Sequence, residues 1–240
     1  MAKKEKNNGL VAAIIFAAVM ISGSLIYFAS QLGGGSSEDL AKDIQKGIED
    51  YVNGVQTGGG TQEALDMDDL IQEQPFIGDA DAPVVLVEFS DYRCGYCQKF
   101  FNETLPQIKA NYIDTGKLRF VYKDFLLGYD GDYEAALVAE CTRDQLGDDS
   151  FFMMHDRIFQ TISAGFDFER YADYAVELGA DRDEFKSCFE SEKFKDDIYA
   201  DVADGKSVGV NGTPGFVLNG RTISGAQPYE VFAEAIDAQL

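Results

Sequence analysis

The chain has 240 residues, 45% of them hydrophobic, with 42 acidic and 20 basic side chains and a formal net charge of −22. This length allows one sizeable hydrophobic core with additional segments and is too short for three ordinary domains. So acidic a surface repels phosphate backbones, which argues against binding to nucleic acid. Solubility is the simplest explanation of the acidity, with a saline habitat or a basic partner as alternatives.

The N-terminal part of the chain contains a long apolar segment. Residues 10–29 are almost wholly apolar, and twenty helical residues span about 30 Å, the hydrocarbon thickness of a bilayer. Three lysines precede the segment and acidic residues follow it, so the positive-inside rule places residues 1–9 in the cytoplasm and the later residues outside. We therefore expect a membrane anchor at residues 10–30. A cleaved signal peptide is the alternative, and both interpretations place the cysteines where disulfides persist.

Residues 31–75 are interpreted as a linker that contains a stalk helix. Runs of three glycines at residues 33–35 and 58–60 are typical of flexible joints. Apolar residues recur between them at helical spacing, namely Leu40, Ile44, Ile48, Tyr51 and Val55. This stripe is too short to establish a coiled coil, so a short stalk helix is expected.

The globular body opens with a strand–helix–strand pattern. Residues 84–89 form a near-continuous apolar run, typical of a strand buried on both faces. Residues 94–112 have helical spacing with a kink expected at Pro106, and residues 118–125 alternate as in a strand. Such a unit implies two parallel strands joined by a right-handed crossover.

Residues 132–207 differ from the segments on either side. Their apolar residues recur at helical spacing and glycines interrupt the pattern, which predicts three to five helices. We interpret this block as a helical subdomain inserted into an α/β domain formed by residues 76–131 and 208–240.

Strand patterns return after the helical block. Asn219 and Gly220 separate the apolar residues 215–218 from residues 221–224, and Asn-Gly between two strands strongly indicates a two-residue hairpin turn. A last helix is expected at about residues 228–238. The resulting order is βαβ, helices, then ββα.

Two of the four cysteines, Cys94 and Cys97, lie two residues apart in the stretch DYRCGYCQKF. This spacing suits disulfide exchange, metal binding or a structural staple, and alone it does not distinguish them. Structural zinc needs a second close pair of ligands, whereas Cys141 and Cys188 stand apart. The only histidine, His155, lies in an apolar helical stretch and is interpreted as a packing residue. We therefore expect no metal site.

Three features of the body occur together. A CGYC motif at residues 94–97 directly follows a buried strand, a Gly-Thr-Pro sequence at residues 212–214 precedes a late strand, and the elements follow the order given above. In these features the chain resembles the DsbA-like thiol:disulfide oxidoreductases of the thioredoxin superfamily, particularly their membrane-tethered bacterial members. The resemblance covers about residues 76–240 and implies a thioredoxin-like fold with an inserted helical subdomain.

The resemblance also implies a substrate-binding role for Thr213 and Pro214. In this family the matching proline has a cis peptide bond and faces the active-site disulfide. The backbone of Thr213 would then pair with an incoming peptide as a short added strand. The alternative is an ordinary trans proline in a turn after Asn211 and Gly212.

The position of the two cysteines predicts different roles for them. Cys94 begins a helix, where unpaired backbone N–H groups and the positive end of the helix dipole lower the pKa of a thiol. Cys94 is therefore expected to attack, and Cys97, one turn deeper, to resolve the mixed disulfide. Arg93 either adds to the stability of the thiolate or points to solvent.

Gly95 and Tyr96, between the cysteines, are expected to contact substrate and to tune the redox potential. Strongly oxidising relatives carry a histidine at the position of Tyr96, and tyrosine supplies no positive charge at neutral pH. We therefore expect a less oxidising dithiol than in those relatives. The direction of physiological electron transfer stays open on this evidence.

Glu88 is the next candidate for the chemistry. It is an acid within an otherwise apolar strand, six residues before Cys94, and the family has a proton-transferring acid at the matching position. Burial would raise the pKa of Glu88 and suit it to exchange a proton with Cys97. The alternative is a Glu88 that is solvated at the strand end or paired with Lys123 of the neighbouring strand.

Cys141 and Cys188 are expected to form a structural disulfide because the body of the chain is predicted to be exported. Two separate buried thiols, or a second redox pair, are the alternatives.

Together these predictions describe a membrane-anchored, extracytoplasmic thiol:disulfide oxidoreductase that acts on cysteines of exported polypeptides, most simply as an oxidase. Its own Cys94–Cys97 dithiol carries the chemistry, so no bound cofactor is expected, and a redox partner, expected in the membrane, must reset it. The alternatives are a reductase or isomerase of the same fold, and a tethered binding module with an inert CGYC disulfide.

Overall fold

The computed structural model of the protein describes residues 67–240. The predicted segments at residues 1–9 and 10–30, and most of the predicted linker, lie outside the described residues. Within residues 67–240, no helix is both long enough and apolar enough to cross a membrane.

Five strands form one mixed sheet in the order β1-β3-β2-β4-β5. The strands are β1 (Phe76–Ile77), β2 (Val84–Ser90), β3 (Leu118–Asp124), β4 (Gly215–Leu218) and β5 (Arg221–Ser224). β2 runs parallel to β3, and the other three neighbouring pairs are antiparallel. The predicted parallel pair and the predicted hairpin are therefore confirmed, whereas the two-residue β1 is too short to have been recognised from periodicity.

β3 is more deeply buried than its sequence pattern predicted. All its residues except Arg119 are buried, as in β2, because β3 lies between β1 and β2 and is covered on both faces. The polar residues Lys123 and Asp124 in this stretch are both buried and do not form a solvent-exposed face. The Lys123 ammonium pairs with Asp204, and the backbone N–H of Asp124 donates to Asp201.

The turn between β4 and β5 has the expected two-residue form. Asn219 and Gly220 both have left-handed backbone conformations, with φ of 42° and 83°, as a type I′ hairpin requires. The Asn219 side chain also accepts a hydrogen bond from the backbone N–H of Val85 at 2.8 Å. The hairpin is thereby attached to the beginning of β2.

Helix α2, which crosses from β2 to β3, alternates between α- and π-helical segments. Its segments are Gly95–Lys99 (α), Phe100–Thr104 (π), Leu105–Ile108 (α) and Lys109–Ile113 (π). Pro106 has no N–H to donate and its ring would collide with the carbonyl four residues earlier in a regular helix. The π segment that precedes it widens the helical turn next to the proline, at the place where the sequence predicted a kink.

The inserted subdomain contains five α-helices, the upper end of the predicted number. They are α3 (Asp132–Leu146), α4 (Asp148–Thr161), α5 (Phe168–Leu178), α6 (Arg182–Glu190) and α7 (Lys195–Ser207). α8 (Tyr229–Asp237) ends the fold close to the expected last helix. The main core lies between these helices, α2 and one face of the sheet.

The packed domain begins before residue 76, the boundary that the sequence predicted. The short helix α1 (Met67–Ile71) places Leu70 in a second apolar cluster, with Val87, Phe89 and Val121 on the other face of the sheet. The backbone carbonyl of Leu70 also accepts a hydrogen bond from the Lys123 ammonium at 3.2 Å. Part of the predicted linker is therefore part of the domain.

Candidate active site

The two close cysteines lie at the end of β2 and the start of α2. Cys94 is the N-cap residue, with an extended backbone (φ −77°, ψ 121°), and Cys97 is in the first turn. Both are free thiols, 7% and 0% exposed respectively. Both thiols are therefore buried, and Cys94 at the helix end is the more accessible of the two, in the order that the sequence predicted.

The Thr213–Pro214 peptide bond is cis and lies against Cys94. The sulfur of Cys94 donates to the Thr213 carbonyl at 3.4 Å. The two predicted substrate-binding positions are therefore adjacent to the dithiol, although 119 residues separate Thr213 from Cys94 in the chain.

The environments of the two sulfurs favour opposite protonation states. A hydrogen bond from Cys97 is the main cause that lowers the pKa of Cys94 to about 5, and the backbone N–H groups of Tyr96 and Cys97 add to it. The Thr213 hydroxyl, which has no other hydrogen-bond partner within residues 67–240, can also turn its proton towards this sulfur. Burial raises the pKa of Cys97, and so does its hydrogen bond to Cys94. The arrangement provides a thiolate at Cys94 and a protonated thiol at Cys97.

Glu88 is buried beneath the dithiol. Burial raises the pKa of Glu88 to about 8, against a smaller opposing effect of the Ser90 hydroxyl, which donates to its carboxylate at 2.8 Å. Its negative charge in turn helps to raise the pKa of Cys97. The carboxyl is thus close enough to Cys97 to influence its protonation and has a pKa suited to proton exchange near neutral pH.

The alternative pairing of Glu88 with Lys123 is not present. Glu88 is opposite Tyr122 in the sheet register, so Lys123 points to the opposite face. There the Lys123 ammonium pairs with Asp201 at 3.0 Å and with Asp204 at 2.7 Å. Glu88 and Lys123 are therefore both buried, but they lie on opposite faces of the sheet.

The residues next to the dithiol differ in exposure and in the contacts that they make. Tyr96 is 69% exposed, and a Cβ added to Gly95 would meet no atom within 4 Å, so packing does not require glycine there. Arg93 is half-buried, and its guanidinium donates to the Ile162 carbonyl at 2.7 Å.

A groove of about 330 Å³ continues from the cis proline. It is lined by residues 209–215, which lead into β4, and by residues 222–225 of β5 and its end. β5 is an edge strand with exposed residues. Such a strand edge beside a dithiol can accept an extended peptide.

Cys141 and Cys188 form a disulfide that joins α3 to α6, with Cα atoms 5.9 Å apart. Both residues are buried. The pairing that the sequence predicted is thus present, and it lies within the helical subdomain.

His155 is buried among aromatic rings, including those of Tyr92, Tyr122 and Phe159, as expected for a packing residue. Among the described residues, no group of three or more His, Cys, Asp or Glu side chains is arranged to hold a metal ion.

Sequence reasoning missed two polar residues next to the dithiol. Ser90 holds the Glu88 carboxylate, and Asp91, 1% exposed, accepts hydrogen bonds from backbone N–H groups. The available signal was a pair of polar residues that end an apolar strand immediately before the CGYC motif.

A thioredoxin-like sheet, a dithiol at a helix N-terminus and an opposing cis proline define the thiol:disulfide oxidoreductase class. A family model described as Thioredoxin matches residues 71–238. Among curated proteins, the chain is 27% identical to disulfide bond formation protein D of Bacillus subtilis, covering 71% of this chain and 78% of that protein. It is 32% identical to the probable disulfide bond formation protein D of Bacillus anthracis, covering 70% and 78% respectively.

Solved structures agree with these matches. Oxidised BdbD of Bacillus subtilis has a TM-score of 0.62 and 26% identity, over 69% of this chain and 92% of that one. The α-DsbA1 of Wolbachia pipientis, at 23% identity and a TM-score of 0.62, covers 70% and 91% and supports the fold. The chain belongs to the thioredoxin family and is a DsbA-like thiol:disulfide oxidoreductase.

Proposed function

We propose that this oxidoreductase is an oxidase, anchored in the cell membrane, that transfers its Cys94–Cys97 disulfide to cysteine-containing exported polypeptides. A substrate thiolate attacks the sulfur of Cys94, and the bond to Cys97 breaks. A second substrate thiolate then attacks the first substrate sulfur and releases Cys94 as a thiolate. The substrate loses two electrons and two protons, and the protein's dithiol gains the two electrons.

The asymmetry between the two sulfurs carries this proposal. A pKa of about 5 for Cys94 stabilises the reduced form of the dithiol at neutral pH and makes Cys94 a good leaving group. Both effects favour donation of the disulfide. In the reverse half-cycle, the Cys94 thiolate attacks the disulfide of a resetting partner, expected in the membrane, and Cys97 resolves the mixed disulfide. The dithiol supplies the electrons, so the proposal needs no bound cofactor.

Glu88 is proposed to move the proton of Cys97. The Cys97 sulfur leaves as a thiolate in a buried site that disfavours its charge. Glu88, with a pKa raised to about 8, can hold a proton nearby and donate it to that sulfur. One proton is then shared between Glu88 and Cys97, so the two buried groups do not carry negative charges at the same time.

The cis Thr213–Pro214 segment is proposed to bind the substrate in extended form. Pro214 has no N–H, and the backbone of Thr213 borders the groove next to Cys94. Gly95 and Tyr96 follow Cys94 in the chain. Tyr96 is exposed and the space beside Gly95 is open, so we expect neither residue to block a peptide from the sulfur of Cys94. Backbone pairing accepts many sequences, which suits an enzyme that acts on diverse unfolded polypeptides.

The proposed location rests on the sequence. Residues 10–30 would anchor the chain, with residues 1–9 in the cytoplasm and the catalytic domain outside. The Cys141–Cys188 disulfide and the names of the curated relatives, disulfide bond formation proteins, agree with an oxidising compartment.

A trapping experiment tests the proposed roles. In Cys97→Ala, the resolving thiol is absent, so covalent complexes should accumulate through Cys94, and their identification would reveal the substrates. The matched control, Cys94→Ala with Cys97→Ala, should trap nothing. If Cys97→Ala forms no thiol-reducible complexes with exported proteins, the proposal is wrong.

One observation favours a reductase, namely Tyr96 in place of a charged histidine. Equilibration of the dithiol with glutathione separates the two directions. A potential well above that of thioredoxin, about −270 mV, supports the oxidase. A potential near that value would support the reductase.

A further inference from the structure

Asp91 is a buried carboxylate that none of the steps above uses. It directly follows β2 and precedes Cys94 by three residues. One carboxylate oxygen accepts the backbone N–H of Arg93 at 2.7 Å, and the other accepts the backbone N–H of Leu127 at 2.8 Å. Asp91 thus connects two segments of the chain that are 36 residues apart.

The first of these bonds shapes the turn that delivers Cys94 to α2. The side chain of Asp91 bonds the N–H two residues later, and its own carbonyl accepts the N–H of Cys94 at 3.0 Å. An aspartate in this arrangement holds a tight turn. The direction in which Cys94 enters the first turn of α2 therefore depends on Asp91, as does its approach to the N–H groups that stabilise the thiolate.

The second bond attaches this turn to the loop of residues 125–131, which leads from β3 into the helical subdomain. Phe125 reinforces the attachment because its N–H donates to the Ser90 carbonyl at 2.7 Å. The other end of the same loop is held by Asp132, whose carboxylate accepts the N–H groups of Gly128 and Tyr129 at 2.8 Å. Two buried aspartates therefore hold one loop, and only Asp91 also holds the active-site turn.

Both partners of Asp91 are backbone N–H donors, those of Arg93 and Leu127, and this explains why an acid occupies position 91. Burial raises the pKa of Asp91 to about 6, against the opposing effect of its two hydrogen bonds, so a charge here is costly. An asparagine would avoid the charge, but its amide nitrogen would face the N–H of either Arg93 or Leu127, and two donors cannot bond. A carboxylate alone among side chains of this size accepts on both oxygens.

We propose that Asp91 is a positioning residue that, through the turn of residues 91–94, orients Cys94 at the start of α2 and connects this turn to the entrance of the helical subdomain. This inference rests on the proposed role of Cys94 as the reactive thiol. The electrostatic effect of Asp91 opposes the positional one, because a carboxylate near Cys94 repels the thiolate. The two effects can therefore be separated by substitution.

Thiolate absorbance near 240 nm, measured against pH on the reduced full-length chain, provides the test. Asp91→Ala removes both the turn contact and the charge, and we expect the pKa of Cys94 to rise by about one pH unit, the size of a lost helix-terminus interaction. With its amide oxygen on the N–H of Arg93, Asp91→Asn keeps the turn contact and loses the charge, so the pKa should stay at or below the wild-type value. Asp132→Ala, the matched control, should lower the melting temperature and leave the pKa of Cys94 unchanged.

Each outcome bears on the proposal. An unchanged pKa in Asp91→Ala would make Asp91 merely structural, and a lowered pKa would mean that its charge alone acts; either result overturns the inference. If Asp91→Ala does not fold, Asp91→Glu decides, because it keeps the charge and disturbs the turn; a pKa of Cys94 that stays at the wild-type value then contradicts a turn held by Asp91. Failure of the proposed function is visible separately, as disulfide transfer that persists in Cys94→Ser.

Discussion

The molecule contains two cysteine pairs that are similarly buried but lie in different backbone surroundings. Cys94 and Cys97 lie in one helical turn, at a helix N-terminus, against a cis proline and a groove. Cys141 and Cys188 come from different helices, 47 residues apart, and are enclosed by the helical subdomain. Since Cys94 and Cys188 are 7% and 6% exposed, the comparison teaches that the position of a sulfur relative to backbone N–H groups, more than its exposure, determines whether it reacts or only crosslinks.

The largest expected effect is the loss of activity in Cys94→Ser. A serine hydroxyl forms no disulfide, so oxidation of a reduced model polypeptide should fall to the background rate while the fold is retained. The measurement is the rate of substrate disulfide formation, with circular dichroism as the check on folding. Residual catalysis would mean that another cysteine carries the exchange.

Loss of the second pair, Cys141 and Cys188, should reduce the stability of the fold and not the activity. Replacing both Cys141 and Cys188 by alanine opens a loop of about 48 residues, which the chain-entropy relation values at about 4 kcal/mol of unfolding free energy. We expect urea denaturation to show a destabilisation of this order, with the pKa of Cys94 unchanged. A parallel loss of disulfide transfer in the folded variant would point to a redox relay between the two pairs.

The free energy of unfolding should depend on pH through Glu88. Its pKa is about 8 in the folded chain against 4.5 for an ordinary glutamate, so the folded state keeps a proton that the unfolded state has lost between these values. The unfolding free energy therefore falls as the pH rises from about 4.5 to about 8 and then levels. Glu88→Gln removes this fall, which amounts to roughly 4 to 5 kcal/mol by pH 8 to 9, as denaturation at several pH values would reveal.

Glu140 offers a matched control for Glu88. It is also buried, with its pKa raised to about 8 by burial, but it lies in α3 and pairs with Arg143 at 3.6 Å. Glu140→Gln should flatten the pH dependence of stability in the same way. Only Glu88→Gln should also slow the release of Cys97, measured as single-turnover reaction with a substrate thiol. Equal slowing in both variants would remove the proton-transfer role from Glu88.

The smallest expected effect belongs to Tyr96→His. Because position 96 is largely exposed, solvent screens the added positive charge, and the pKa of Cys94 should fall by less than one pH unit at pH values where the histidine is protonated. Redox equilibration at pH 6 and pH 8 is the measurement, with a rise in potential expected chiefly at the lower pH. A rise of equal size at both pH values would indicate a steric cause.

The sequence was sufficient for the elements whose patterns are local. The apolar run of β2, the Asn219-Gly220 turn and the helix that starts at the CGYC motif could each be predicted because their signals lie within a few residues. The cis proline and its partner Cys94 followed from the family resemblance. Local patterns contain no information about their contact, because 119 residues separate them.

Other features depend on contacts that no local pattern encodes. Lys123 was considered as a partner of Glu88, but the sheet register turns it to the opposite face, where α7 supplies Asp201 and Asp204. The role of Asp91 depends equally on Leu127, which only the folded chain brings close. Buried polar residues were hard to interpret from sequence because their partners come from distant segments.

The contacts of residues 67–76 have a mechanical consequence for the domain. The carbonyl of Leu70 is bonded to Lys123, the Gln74 side chain to Asp201 at 3.0 Å, and the carbonyl of Glu73 to Arg143 at 2.6 Å. A pulling force applied to the chain at α1 would act on β3 and the helical subdomain through these three hydrogen bonds. It would also act on β2, the strand that leads to the dithiol, because Leu70 packs against Val87 and Phe89.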